Sequence, residues 1–348
     1  MRAARFYAPR EPLRLEEIEA EAPGPGDVRV AVEACGICGT DLHVAIEGSI
    51  ALPRVPIVLG HEAAGRVAEL GAGVGGWTIG DRVAIFPNVA CGACPACTQG
   101  REVLCARAAV PGINRDGAFA EFITLPASCL MPLPAEIPFP VGAIIADAVS
   151  TAYRAVAHRG SLAAGERIAI FGCGGLGIHG IKVARYLGAS QVIAVDVAAG
   201  ALRRAQEAGA TDLVDAGQGD AGKQVRALTR GEGVDLAVEF VGLKASVTEA
   251  LRSLRRGGRA VVAGVGTDRV ELPPLRSFVG GELALLASMG FDREEVETVI
   301  RLVASGALDL STSVSDVIPL EAINDGFRRA FAKEGDPIRI VVSPGAAR

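Results

Sequence analysis

The stretch Arg167-Ile168-Ala169-Ile170-Phe171-Gly172-Cys173-Gly174-Gly175-Leu176-Gly177 joins a short apolar run of buried-strand type to a glycine-rich turn. A helical segment follows, reaching Tyr186. Gly172, Gly174 and Gly177 fit the pattern G-x-G-x-x-G, which alone means little in a chain with 44 glycines. Its setting gives it meaning: strand before, helix after, and an acid at the end of the next strand. In such a turn the first glycine permits the tight bend and the second lets the backbone approach a pyrophosphate. The third lets the helix pack on the strand. The helix N-terminus, where Gly175 and Leu176 lie, offers free N–H groups and positive dipole to phosphates.

Working outward, strand-type and helix-type segments alternate. Strand Gln191 to Asp196 precedes a helix from Ala199 to Ala208, and strand Asp212 to Asp215 precedes a helix from Ala221 to Thr229. Strand Val234 to Val241 precedes a helix from Ala245 to Arg255; strands at Arg259 to Val265 and Leu283 to Ser288 complete the series. This alternation predicts an α/β fold with a doubly wound parallel (Rossmann) sheet that binds a dinucleotide. Asp196, nineteen residues after Gly177, ends the second strand. A carboxylate there accepts hydrogen bonds from ribose hydroxyls and repels a 2′-phosphate, and Val197, Ala198 and Ala199 supply no arginine. The expected cofactor is therefore NAD rather than NADP.

The first third reads differently. Val28 to Val32, Glu62 to Leu70 and Asp81 to Phe86 are short strand-like runs punctuated by Gly and Pro, as in a partly open barrel or sandwich. After the nucleotide segment, helices near Glu294 to Ser305 and Leu320 to Lys333 lead to a last strand, Ile338 to Val342. This tail is expected to rejoin the first domain. The expected division is a discontinuous β-rich catalytic domain, 1–150 with 286–348, interrupted by an NAD-binding domain, 151–285.

Bulk properties exclude several classes of function. The chain has 348 residues, half apolar and 22% charged, with a formal net charge of −5. It lacks a basic footprint for nucleic acid and a Lys/Arg block for a membrane surface. No apolar run reaches spanning length, and Met1 to Glu17 has no signal-peptide pattern, so a cytoplasmic protein is expected.

Four of the eight cysteines, Cys91, Cys94, Cys97 and Cys105, fall within fifteen residues, with Gly92 and Pro95 between the first three. Four thiolates at this spacing can wrap one zinc tetrahedrally and leave no open position, which makes a structural site. An iron–sulfur cluster is the rival occupant.

A second constellation is spread more widely. Cys38 lies in Cys35-Gly36-Ile37-Cys38-Gly39-Thr40-Asp41-Leu42-His43, and His61 and Glu62 lie in Gly60-His61-Glu62-Ala63-Ala64-Gly65. With these segments, the four-cysteine lobe and the glycine-rich turn in this order, the whole chain resembles the medium-chain, zinc-containing alcohol dehydrogenase family. The resemblance implies a GroES-like catalytic domain and two zinc ions per chain. Cys38 and His61 would be catalytic zinc ligands, Asp41 would orient His61, and Glu62 would approach the metal during ligand exchange.

A third ligand is implied near the domain junction. Asp147 is the ionisable residue between Ala146 and Tyr153, and some family members carry Asp at this place. One thiolate, one carboxylate and a neutral imidazole would balance a zinc ion's two charges. The resemblance also implies a proton path from Thr40 through the nicotinamide ribose to His43. It places Val265, in Gly264-Val265-Gly266, under the nicotinamide and Arg339 on the pyrophosphate. Gly39 departs from members with arginine after the zinc cysteine, so one pyrophosphate contact is expected to be missing. The expected substrate is a primary or secondary alcohol, with Ile46, Phe86, Pro87 and Ile113 as pocket walls. A polyol dehydrogenase and a zinc-free enoyl or quinone reductase are the alternatives; Cys38 with His61 speaks against the latter. The family is usually dimeric or tetrameric, so a homotetramer or homodimer is expected.

Overall fold

In the computed structural model, which describes residues 1–345, the chain opens with β1 (Arg2–Phe6) and β2 (Arg14–Glu17), paired antiparallel. β3 (Asp27–Gly36) follows; Val28, Val30, Val32 and Ala34 point inward and alternate with half-buried residues, the period-two pattern of a strand with one wet face. β4 (Ile57–Val58) joins β1 to make a three-stranded sheet, and β5 (Glu62–Leu70), β6 (Arg82–Ile85), β7 (Phe122–Pro126) and β8 (Leu130–Pro132) complete the first stretch.

The chain divides into two compact units, one of Met1–Ala148 together with the segment from Asp292 onward, the other Val149–Phe291. The second unit carries β9 (Arg167–Phe171), β10 (Gln191–Asp196), β11 (Asp212–Asp215), β12 (Val234–Glu239), β13 (Leu254–Val262) and β14 (Ala284–Ala287). They form one parallel sheet in the order β11-β10-β9-β12-β13-β14. This is the doubly wound order, and chain direction around the sheet reverses between β9 and β12, where a ligand crevice opens at the carboxyl ends. Helices Gly175–Tyr186, Ala199–Glu207, Ala221–Leu228 and Lys244–Ser253 make the crossovers. β12 is buried along its whole length, as expected of an inner parallel strand.

The segment from Asp292 adds a helix, Arg293–Ala304, then β15 (Asp316–Pro319), a helix, Ile323–Ala332, and β16 (Ile340–Ser343) to the first unit. Its main sheet runs β15-β16-β3-β5-β6-β8, with β7 sharing one edge of β3. Phe327 packs edge-to-face on Phe119 at 5.7 Å. Both rings are buried, each worth about 2–3 kcal/mol of burial, which fastens the tail to the first core.

The largest shift from the expected boundaries lies at one helix-to-strand junction. The helix expected to reach Arg255 ends at Ser253, and its strand starts at Leu254 rather than Arg259. Buried Leu254 pairs with Val234 across a register shift, and Gly257 takes a left-handed conformation (φ +71°). An irregular start of this kind carries no apolar alternation. Among the described residues no helix is long and apolar enough to cross a membrane.

Candidate functional site

Strand register gathers the distant residues. β3 pairs antiparallel with β5 so that Gly36 faces Glu62, and with β16 so that Gly36 faces Val341. Cys38, just past β3, His61, just before β5, and Arg339, just before β16, therefore leave the sheet at the same end. Asp41 ties the first two segments together: Cys38 N–H donates to Asp41 Oδ2 (2.9 Å) and Gly60 N–H to Asp41 Oδ1 (3.3 Å). Asp41 Oδ1 stands 3.7 Å from His61 Nδ1, beyond hydrogen-bond length, so its firm contacts are to backbone.

Asp147 arrives from another direction. It lies in a single π turn, Ile145–Val149, that follows the helix Phe139–Ile144. Such turns carry one residue more than an α-helical turn and recur at functional sites. Asp147 Oδ2 is 3.4 Å from Cys38 Sγ and 3.4 Å from His61 Nε2. Ligand atoms bonded tetrahedrally to one zinc stand about 3.4–3.8 Å apart, so the three donors fit one ion. His61 Nδ1 and Glu62 Oε2 are buried without a hydrogen-bond partner, and Cys38, Asp41, Glu62 and Asp147 crowd acidic groups around one imidazole. Burial pushes the Cys38 thiol and the Asp41 carboxyl up, and Glu62 to about 8. A divalent cation is the charge this donor set lacks.

Glu62 is fully buried behind this cluster. Its Oε1 is ion-paired with Arg339 Nη2 at 3.1 Å, and Arg339 Nη1 donates to the Ile37 carbonyl at 3.0 Å. A Cβ at Gly36 would stand 2.2 Å from Glu62 Oε2, so only glycine leaves room for this carboxylate. The structure thus seats Arg339 on Glu62; a contact with pyrophosphate remains the inference from resemblance.

Thr40 Oγ1 lies 3.8 Å from Cys38 Sγ on the one-turn helix Gly39–Leu42. His43 begins the π turn His43–Glu47; its ring is 40% exposed and its Nδ1 is 2.8 Å from Glu47 Oε2. Of the expected pocket walls, Phe86 is sealed in the core with the Arg293 guanidinium 5.0 Å over its ring, and Ile46 packs against the core's margin.

The four lobe cysteines form a second cluster. Cys94 Sγ is 3.4 Å and Cys91 Sγ 3.9 Å from Cys97 Sγ, and Cys91 N–H points to Cys105 Sγ at 3.5 Å. These separations are too long for disulfides and suit one tetrahedral ion. Backbone N–H groups of Ala93 and Cys94, with the Arg107 guanidinium 3.2 Å away, bring the Cys91 thiol down to about 5, which favours thiolate. The lobe is anchored by Val103 N–H donating to Asp292 Oδ1 (2.8 Å).

In the second unit, Gly172 adopts φ +87°, and a Cβ at Gly177 would lie 1.8 Å from the Gly172 carbonyl oxygen. Gly174 is exposed, with open space where a Cβ would stand, and Gly175 and Leu176 open the helix. Asp196 braces this turn: Oδ2 accepts Cys173 N–H (2.7 Å) and Oδ1 accepts Ala198 N–H (2.9 Å). Val265 is 70% exposed between Gly264 and Gly266, both of which press on Gly242 backbone. Residue-by-residue reading missed Glu239. Its fully buried Oε1 accepts from Val241 N–H, Gly242 N–H and the Ser246 hydroxyl, holding the turn against which Gly264 packs. It also missed Glu47, whose i+4 spacing from His43 was the available signal.

Residues 24–135 match the family model described as alcohol dehydrogenase GroES-like domain, and residues 175–305 match that of zinc-binding dehydrogenase. The chain is 32% identical to sorbitol dehydrogenase of Bacillus subtilis (strain 168), over 99% of this chain and 97% of that one. It is 33% identical to alcohol dehydrogenase of Geobacillus stearothermophilus, over 94% and 96%. A zinc-binding dehydrogenase from Sinorhizobium meliloti 1021, solved bound to NADP, superposes with a TM-score of 0.90 at 32% identity, covering 99% of both chains.

Proposed function

Because the chain belongs to the medium-chain zinc-containing alcohol dehydrogenase family, we propose that it oxidises a primary or secondary alcohol to the aldehyde or ketone, with NAD as hydride acceptor. The observation that carries this is that Asp147 Oδ2 stands 3.4 Å from both Cys38 Sγ and His61 Nε2, with all three donor atoms within 4.8 Å of one another. Zinc, when bound, would supply a Lewis acid that acidifies an alcohol hydroxyl, and the nicotinamide would accept the hydride from the carbon bearing that hydroxyl.

The chain's own residues do the rest. Cys38, His61 and Asp147 would hold the catalytic ion, and two anionic donors with a neutral imidazole match its charge. Glu62, held back by Arg339, is the adjacent carboxylate available as a further ligand. Thr40 Oγ1, beside the Cys38 sulfur, would accept the substrate hydroxyl's hydrogen bond and orient its oxygen. His43, with its ring partly in solvent, would pass the released proton to water. Cys91, Cys94, Cys97 and Cys105 would hold a structural zinc. Asp196 favours NAD over NADP because a 2′-phosphate would meet its carboxylate.

The likeness to sorbitol dehydrogenase supports a polyol as the second reading. A panel of alcohols, diols, polyols and hydroxy amino acids, followed by NADH absorbance, tests both. Turnover of small apolar alcohols above polyols is expected. Preference for polyols would move the assignment to the second reading, and no NADH with any member would overturn both.

A further inference from the structure

His43 and Glu47 are the two ends of one π turn, and Nδ1 lies 2.8 Å from Oε2. The contact is built from both sides. Gly48, at φ +70°, reverses the chain, and Ser49 returns over the turn: its N–H donates to the His43 carbonyl at 3.0 Å and its hydroxyl lies 3.3 Å from the same Glu47 oxygen. The neighbouring segment packs on the turn through Arg10 N–H, which donates to the Ala45 carbonyl (2.7 Å). Arg10 makes no ion pair with Glu47, and among the described residues neither side chain has another charged partner.

The hydrogen bond with His43, joined by that of Ser49, holds Glu47 below the usual carboxylate range. An ionised carboxylate can only accept hydrogen bonds, so the proton in this contact belongs to Nδ1. A neutral imidazole with its proton on Nδ1 has a bare lone pair at Nε2.

We propose that Glu47 is a positioning residue that fixes His43 in the tautomer with Nε2 free to take up a proton. The role of that proton rests on the dehydrogenase function proposed above. Nε2 gains the proton released by the substrate hydroxyl, the ring becomes imidazolium with its Nδ1–H still on Glu47, and Nε2 then returns the proton to water. No electrons move at this step.

The test uses the zinc-loaded enzyme labelled with ¹⁵N-histidine. With four histidines in the chain, His43 is assigned by its loss in His43→Asn. The wild type is expected to show the Nδ1–H tautomer. Glu47→Ala is expected to mix tautomers and to lower kcat about tenfold, a fraction of what general acid–base groups contribute, with KM and melting temperature little changed. Glu47→Gln keeps an acceptor oxygen and is expected to restore the tautomer and most of kcat. Unchanged tautomer and kcat in Glu47→Ala would overturn the proposal, as would a kcat loss with unchanged tautomer that Glu47→Gln does not recover. Failure of the dehydrogenase assignment looks different: the wild type yields no NADH from any alcohol, while the nitrogen spectra still decide whether Glu47 sets the ring.

Discussion

The Asp147 carboxylate stands 3.4 Å from the Cys38 sulfur, although the two residues are 109 positions apart in the chain. Nothing local joins these two residues: one caps a single helical turn after β3, the other sits in a π turn that follows a separate helix. With His61 Nε2 they enclose a point that one tetrahedral ion would fill.

Removing Asp147 should therefore cost one ion and not two. Metal analysis of Asp147→Ala is expected to fall from two zinc ions per chain to one, with turnover reduced at least about a hundredfold. Two ions retained with full turnover would discard Asp147 as a ligand.

The lobe should behave in the opposite way. Cys97 sits between Cys91 and Cys94, at 3.9 and 3.4 Å, so Cys97→Ser is expected to lose the structural ion and keep the catalytic one. The lobe is pinned by Asp292 through Val103, and loss of its ion should lower the melting temperature. An absorbing iron–sulfur chromophore in the purified protein would replace zinc as the occupant.

Gly36→Ala isolates the support behind the catalytic cluster. Its new methyl would meet Glu62 Oε2 at 2.2 Å in a packed, buried setting. A destabilisation of about 1–3 kcal/mol is expected in denaturant titration. A neutral effect would mean that Glu62 moves freely and that its pairing with Arg339 is loose.

Asp196→Ala should relax coenzyme choice. The variant loses the brace on Cys173 and Ala198 N–H and, on the proposed role, the acceptor for ribose hydroxyls. About a tenfold rise in KM for NAD is expected, with a smaller change for NADP, read from initial rates. A wild type that already prefers NADP would contradict the role given to this carboxylate.

Acid stability should carry the signature of Asp235. Burial opposes its ionisation, but Arg167 N–H at 2.8 Å and the Arg255 and Arg167 guanidinium groups hold its carboxyl below the usual range. With a depressed folded value, the unfolded chain binds the proton first as pH falls. The contribution is complete above the ordinary aspartate value of about 3.9 and is lost as pH drops through the lowered folded value. The melting-temperature gap between wild type and Asp235→Asn should stay constant from neutral pH to about 4, then close. A gap that persists below that range would exclude the linkage.

Much of the fold was legible because its signals are local. The glycine-rich turn and its flanking elements, and the four lobe cysteines, are each contained in a few consecutive residues. Core strands such as Arg167–Phe171 and Gln191–Asp196 contain apolar runs of four residues that need no partner to be recognised. β1, β2, β4, β7, β8 and β15 escaped notice because strands of two to five residues carry too little pattern, and pairing rather than composition creates them. The catalytic cluster was only partly legible for a related reason. Cys38 and His61 belong to recognisable segments, yet their adjacency depends on Gly36 facing Glu62, a register that no stretch of sequence encodes by itself. The same register explains why Arg339 lies on Glu62, a contact invisible in the sequence.

Anomalous scattering at the zinc edge from crystals of the purified protein tests the central claim most directly. Two peaks per chain are expected, one within the four lobe sulfurs and one within bonding distance of Cys38 Sγ, His61 Nε2 and Asp147 Oδ2 together. A peak at the lobe alone, with those three side chains turned away from one another, would contradict the account.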